Sequence, residues 1–276
     1  MPLSDRLSGM TAPGQLSLNT ITVKSWSLAQ VIEACARHGI PAISPWRDVL
    51  QAMGTAAAAR HIRDAGLRVT GLCRGGMFTV GNRADAIDDN RRAIAEAHTI
   101  GADCLVMVCG GLPQGSKDLP AARDTVREGL HAILPEARAA GVTIALEPLH
   151  PMTCADRSVL STLAQAVDLC DELGDGTGVA VDVYHVWWDP DLARQMARAK
   201  GRIAGFHVCD WKVPTTDLVF DRGMPGEGVI DIPAIRAMAE AAGWRGGVEV
   251  EILSNRWWAE DPERVMTAVK ACHAFC

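Results

Sequence analysis

The sequence contains no apolar run of about 18 residues, the length a membrane-spanning helix needs, so no transmembrane segment is expected. It has no Cys-x-x-Cys pair. Its nine cysteines (35, 73, 104, 109, 154, 170, 209, 272 and 276) fall mostly within apolar helix or strand patterns. They read as reduced thiols of a cytoplasmic protein, not as a disulfide framework. Positive charge is not in excess either: 27 Lys and Arg face 33 Asp and Glu, for a formal net charge of −6. That balance lacks the basic footprint of a nucleic-acid binder and leaves only the local patch of a metal-dependent nuclease to consider. The opening MPLSDRLSGMTAPG lacks the apolar core of a secretory signal, and residues 1–14 read as a flexible or capping segment. No domain boundary, low-complexity segment or heptad pattern interrupts the rest, so residues 1–276 are expected to form one domain.

What is present is a chain of 276 residues, 48% of them hydrophobic, enough to bury a large core. Eight short apolar runs recur along it: QLSLNT (15–20), IPAISPW (40–46), RVTGLCRGG (68–76), CLVMVCGG (104–111), VTIALEPLH (142–150), VAVDVYHV (179–186), IAGFHVCD (203–210) and GVEVEILS (247–254). Several are nearly continuous in Val, Ile and Leu, as parallel strands covered by helices are. Helical patterns alternate with them. SLAQVIEACARHG, for example, puts Leu28, Val31, Ile32 and Cys35 on one face and stops at Gly39. Eight strand-then-helix units predict an α/β chain folded as a single (β/α)8 TIM barrel, and no Gly-x-Gly-x-x-Gly follows the first strand to suggest a dinucleotide-binding sheet.

In such a barrel the active site lies at the C-terminal strand ends. Four consecutive runs place an acid or a histidine there: Glu147, Asp182, His207, and Glu249 or Glu251. Glu251 is nearer the end, while Glu249 suits a buried carboxylate paired deeper in the barrel. Any one of these alone is ordinarily a helix cap or a salt-bridge partner; four in strand order read as a site for one divalent cation, Mn²⁺, Mg²⁺, Co²⁺ or Zn²⁺. Without a cation the carboxylates repel one another. Asn19 after the first strand, and Trp46 with Arg47 after the second, are placed to wall the pocket, although Trp46 equally suits the core. His150 is placed to line the site, and the tryptophans 187, 188, 211, 257 and 258 suit either sugar stacking or a subunit contact. Asp210 and Lys212 are expected to pair, and PGEG to make a tight turn with Glu227 solvated. The glycines at 74–76 and 110–111 read as turns, so no phosphate-binding loop is legible.

The motifs LEPL, DVYH, FHVCDW, RGMPGEGVID and VEVEILS, taken with the eight-unit layout, resemble the xylose-isomerase-like TIM barrels of the sugar phosphate isomerase/epimerase superfamily. That group includes hydroxypyruvate isomerase, tagatose and psicose 3-epimerases, inosose dehydratase and, distantly, endonuclease IV. The resemblance covers the chain from about residue 15. It implies metal ligands at Glu147, Asp182, His207 and Glu251, with Glu147 and Glu251 doubling as the catalytic acid/base pair. It further implies substrate contacts from His185 and Arg222, and a dimer or tetramer. The implied reaction is isomerisation or epimerisation of a ketose, keto-acid or keto-cyclitol through a metal-stabilised enediolate. A dehydratase acting on a keto-sugar or inosose is the alternative, ahead of a non-catalytic sugar-binding barrel or a DNA repair enzyme. The expected partner is a small carbohydrate or cyclitol, with neither nucleic acid nor membrane.

Overall fold

The computed structural model describes residues 15–276; the segment 1–14 lies outside the described residues. The apolar runs form β1 (Leu16–Asn19), β2 (Ala42–Ser44), β3 (Arg68–Val69), β4 (Leu72–Gly76), β5 (Cys104–Val108), β6 (Thr143–Leu146), β7 (Thr177–Asp182) and β8 (Ile203–Val208). A short antiparallel pair follows, β9 (Asp210–Trp211) with β10 (Arg222–Gly223), and then β11 (Val248–Val250). Around the main sheet the order is β3-β2-β1-β11-β8-β7-β6-β5-β4, all pairs parallel.

The two ends of that order, β3 and β4, come from the one run expected to be a single strand. It breaks at Thr70–Gly71 because its halves change partner: Arg68 and Val69 pair with β2, whereas Leu72 to Gly76 pair with β5. Hydrogen bonds bridge the break on both flanks, from Thr70 N to Ile43 O (3.1 Å), Cys73 N to Pro45 O (3.0 Å) and Asp103 N to Val69 O (3.0 Å). The third stave thus joins both neighbours and brings the sheet to a (β/α)8 barrel with little exposed edge.

Outside the strands run α1 (Leu28–His38), α2 (Arg47–Met53), α3 (Thr55–Asp64), α4 (Arg83–Ile100), α5 (Leu119–Ala140), α6 (Leu163–Leu173), α7 (Val183–Val186), α8 (Leu192–Arg198), α9 (Ile232–Ala241), α10 (Asn255–Trp258) and α11 (Pro262–Cys272). Helix α1 shows how sequence sets these ends. Ser27 and Gln30 make a reciprocal capping box, Leu28, Val31, Ile32 and Cys35 are buried, and Gly39 (φ 68°) ends the helix in the left-handed region. Helix α5 is closely fitted: a Cβ on Gly129 would stand 2.3 Å from the Phe78 ring, so glycine is kept there despite its cost to a helix of about 1 kcal/mol.

All nine cysteines are free. No helix among the described residues is long and apolar enough to cross a membrane. Small side chains, Cys104, Val106, Ala145 and Ala180, form a separate apolar cluster. Ala145 and Ala180 stand two residues before Glu147 and Asp182 and so face the same side of their strands. The polar site therefore sits directly along the barrel from a tightly filled apolar layer.

Candidate metal centre

Glu147 stands one residue beyond β6, Asp182 ends β7, His207 is next to last in β8 and Glu251 stands one residue beyond β11. These strands are consecutive neighbours, with Asp182 level with His207. One donor atom from each of the four residues lies within 4.8 Å of all the others. Two donors bound at about 2.0–2.6 Å to one ion can be no farther apart than roughly twice that bond, so the set fits a single divalent cation. Oxygen donors with one imidazole suit Mg²⁺, Mn²⁺, Co²⁺ or Zn²⁺. The four are nearly inaccessible, at 5%, 0%, 2% and 5% exposed, so their charges need compensation from within.

Part of that compensation is Arg222. Its Nη1 donates to Asp182 Oδ2 (2.8 Å) and Glu251 Oε2 (3.2 Å), its Nη2 lies 3.1 Å from His185 Nε2, and its guanidinium packs over the Tyr184 ring. His207 supplies the rest, with Nδ1 3.1 Å from Glu147 Oε1 and Nε2 3.7 Å from Glu249 Oε2. Burial works against the His207 cation, but Glu249 and Glu147 together carry it well above the usual histidine range. Burial pushes Glu251 up to about 7; Arg222 opposes this and Glu147 adds to it. Burial also works to raise Asp182, yet Arg222, then His185 and His207, hold it below the usual carboxylate range. The pocket thus balances excess carboxylate with a protonated imidazole, and a bound cation would relieve that imbalance.

Asp182 is both a helix cap and a cluster member. Its Oδ1 accepts from Tyr184 N (2.8 Å), starting α7, which leaves Oδ2 for the cluster. Glu249 belongs to a lower layer, accepting from Asn19 Nδ2 (2.7 Å) and Thr70 Oγ1 (3.0 Å), with Ser17 Oγ 2.7 Å from Thr70 Oγ1. Hydroxyl and amide groups surround it there, together with His207. Asn19 also donates to Glu251 Oε1 (3.1 Å), so it holds carboxylates in place and does not stand as a free wall.

His185 is buried, with Nδ1 accepting from His150 N (3.0 Å) and Nε2 turned to Arg222; only that second nitrogen faces the cluster. Burial pushes its pKa down to about 3 against the pull of Asp182, which keeps the ring neutral. His150 packs between Trp211 (centroids 5.0 Å apart) and Trp188 (5.7 Å), in an aromatic group that Tyr184 and Trp187 extend. Two expectations change. Lys212 pairs with Asp221, and Asp210 instead accepts from the amides of Gly226 (2.9 Å) and Ile230 (3.0 Å), because the PGEG turn folds back over β9. Glu227 is exposed, as expected, and also accepts from Met224 N, Trp257 Nε1 and Arg256 Nη1. Arg47 turns outward to Asp89 and Glu96 on α4.

The family model described as a xylose isomerase-like TIM barrel matches residues 32–271. The chain belongs to the xylose isomerase-like TIM barrel family. The crystal structure of protein SMc04130 from Sinorhizobium meliloti 1021 is 53% identical over 95% of this chain and 98% of that one, with a TM-score of 0.93. A crystal structure of the IolI protein with a bound zinc atom is 20% identical over 94% and 96% of the two chains, with a TM-score of 0.80. D-psicose 3-epimerase, crystallised in the presence of D-fructose, is 16% identical over 95% and 97%, with a TM-score of 0.77. No curated protein sequence matches significantly.

In this xylose isomerase-like barrel an open cavity of about 430 Å³ is lined by Trp46, Arg74, Arg157, Phe220, Asn255 and Trp258, among others. The four cluster residues do not line it themselves; Leu253 and Asn255, just past Glu251, do. Trp46 lines this cavity, with its Nε1 buried and without a partner among the described residues. Sequence reasoning passed over Arg74 and Arg157. Arg74 lay in a run scored for apolar character and glycine turns, and Arg157 in a loop without a motif.

Proposed function

We propose that the chain is a divalent-metal-dependent isomerase or epimerase acting on a ketose, keto-acid or keto-cyclitol. Glu147, Asp182, His207 and Glu251 hold one ion, and Glu147 and Glu251 exchange the proton with the substrate carbon. The observation that carries this reading is the convergence of the four buried donor atoms within 4.8 Å at consecutive strand ends. When bound, the cation supplies a Lewis acid that polarises the substrate carbonyl and makes the neighbouring C–H acidic. Glu147 and Glu251 are suited to proton transfer because both are buried carboxylates that reach the same cluster from different strands. Asn19 fixes that carboxylate, Arg222 orients Asp182 and Glu251 together, and Trp46 and Trp258 wall the cavity above. The zinc in IolI and the sugar present with D-psicose 3-epimerase, on the same fold, support a metal and a small sugar-like substrate.

The test starts with metal content. Protein purified without chelator is expected to hold one Mn, Co, Zn or Mg per chain, lost in Glu251→Gln and Asp182→Asn. Loaded protein is then expected to wash solvent deuterium into the carbon next to the carbonyl of a turned-over ketose or inosose. A product absorbing in the near ultraviolet, as an enone or diketone does, replaces isomerisation by dehydration. Failure to bind metal after reconstitution overturns the reading.

A further inference from the structure

The cavity at the C-terminal mouth has an unusual charge: Lys24, Arg74 and Arg157 line it, and no Asp or Glu does among the described residues. Most surface arginines here are paired, as Arg37, Arg83, Arg91 and Arg198 are. The Arg74 side chain meets only the weak acceptor Met77 Sδ (2.9 Å), and the Arg157 side chain has no hydrogen bond or ion pair among the described residues. Both guanidinium groups are half-buried. Burial first, then the charges of Arg74 and Arg222, depress the Arg157 pKa, so these cations sit within range of one another and repel. Lys24 lies over the Trp258 ring, 3.4 Å from its centroid, and also has no carboxylate partner among the described residues. An independent sign is the Trp46 Nε1–H in the same wall, a buried donor without an acceptor. Unpaired cations and an orphan donor around one cavity lack a single thing, an anionic acceptor.

We propose that Arg74 and Arg157, assisted by Lys24 and Trp46, bind a carboxylate or phosphate carried by the substrate on the end remote from the reacting carbons. This deepens the proposed function and rests on it: the substrate class narrows from keto-sugars in general to an acidic one. The placement suits the chemistry, because the arginines stand on β4 and in the loop after β6 and so hold the anion beside the metal cluster. Arg157 is close enough for its charge to act on Glu147 and Arg222. Binding the remote end in this way orients the keto end without adding charge to the cluster.

The experiment uses three probes on one six-carbon frame: D-gluconate, D-sorbitol 6-phosphate and neutral D-sorbitol. Each is titrated calorimetrically into the full chain at low salt, both metal-loaded and chelator-treated. One or both anions are expected to bind about tenfold or more tighter than sorbitol, with the tighter one naming the group. Arg74→Gln and Arg157→Gln are each expected to remove most of that preference while metal content stays at the wild-type level, and Arg157→Lys to keep part of it. Equal affinity for sorbitol and the anions, no binding of either anion, or a preference that survives both Gln variants overturns the proposal. The wild-type comparison decides even if a variant fails to fold. Protein that keeps the preference but never holds metal sinks the metal reading and leaves the anion site; protein that holds metal without the preference sinks the anion site alone.

Discussion

Asn19 uses both halves of one buried amide. Its Oδ1 accepts from Ile21 N (3.1 Å) and fixes the side chain, while Nδ2 donates to Glu249 Oε1 and Glu251 Oε1. Removing it leaves two buried carboxylates short of a donor and frees Glu251 to turn. Asn19→Ala is therefore expected to weaken metal binding about 10- to 100-fold, as loss of a group orienting a ligand typically does. Metal-free stability should fall by about 1–3 kcal/mol. Competition titration with a fluorescent chelator and urea unfolding measure the two effects. Unchanged metal affinity would show that Glu251 does not need this amide. The sequence placed Asn19 at the end of the first strand, where it stands, but not its task, because which carboxylates an amide reaches depends on the stagger between β1 and β11. The same limit hid the choice between Glu249 and Glu251: both face inward, and only their heights along the barrel separate the lower layer from the cluster.

At the scale of elements, Arg47 ties the start of α2 to α4 through Asp89 Oδ2 (2.7 Å) and Glu96 Oε2 (2.6 Å). The hydrogen bond from Arg47 holds the Asp89 carboxyl below the usual range, despite some burial. Since the folded pKa is the lower one, this contribution is complete above the unfolded value of about 3.9 and is lost as pH falls through the folded value. Arg47→Ala is accordingly expected to cost about 1 kcal/mol at pH 7, a modest figure because Asp89 is largely solvated, and progressively less toward pH 3. Melting curves at the two pH values check it; an equal deficit at both would mean that Arg47 acts through packing. Elements were the most legible level of the chain. Period and end signals located α1 and the strand runs because each depends on neighbours in sequence. The break of the third run at Thr70–Gly71 was not legible, because it arises from a change of partner between β2 and β5, which no local pattern records.

Over the whole molecule, the barrel gathers onto one ring of strand ends charges that the sequence scatters over more than a hundred residues, from Glu147 to Glu251. Their residue types and order made the candidate cluster legible, since four strand ends in succession carried groups that a core has no use for. The arginines stayed hidden because their meaning lies in what is missing around them. A cluster whose excess negative charge is balanced by a protonated His207 is tolerable but not optimal, so a cation that binds only the folded state should stabilise the entire barrel. At a free metal concentration about 100 times the dissociation constant, linkage gives about 2.7 kcal/mol. For a domain of this length that corresponds to a rise of about 5 °C in Tm, reversed by chelator. The rise should grow with the logarithm of free metal and vanish in Asp182→Asn, where the donor set is broken. A metal-induced shift of equal size in that variant would place the stabilising ion elsewhere on the chain, and with it the cause of the four-residue convergence.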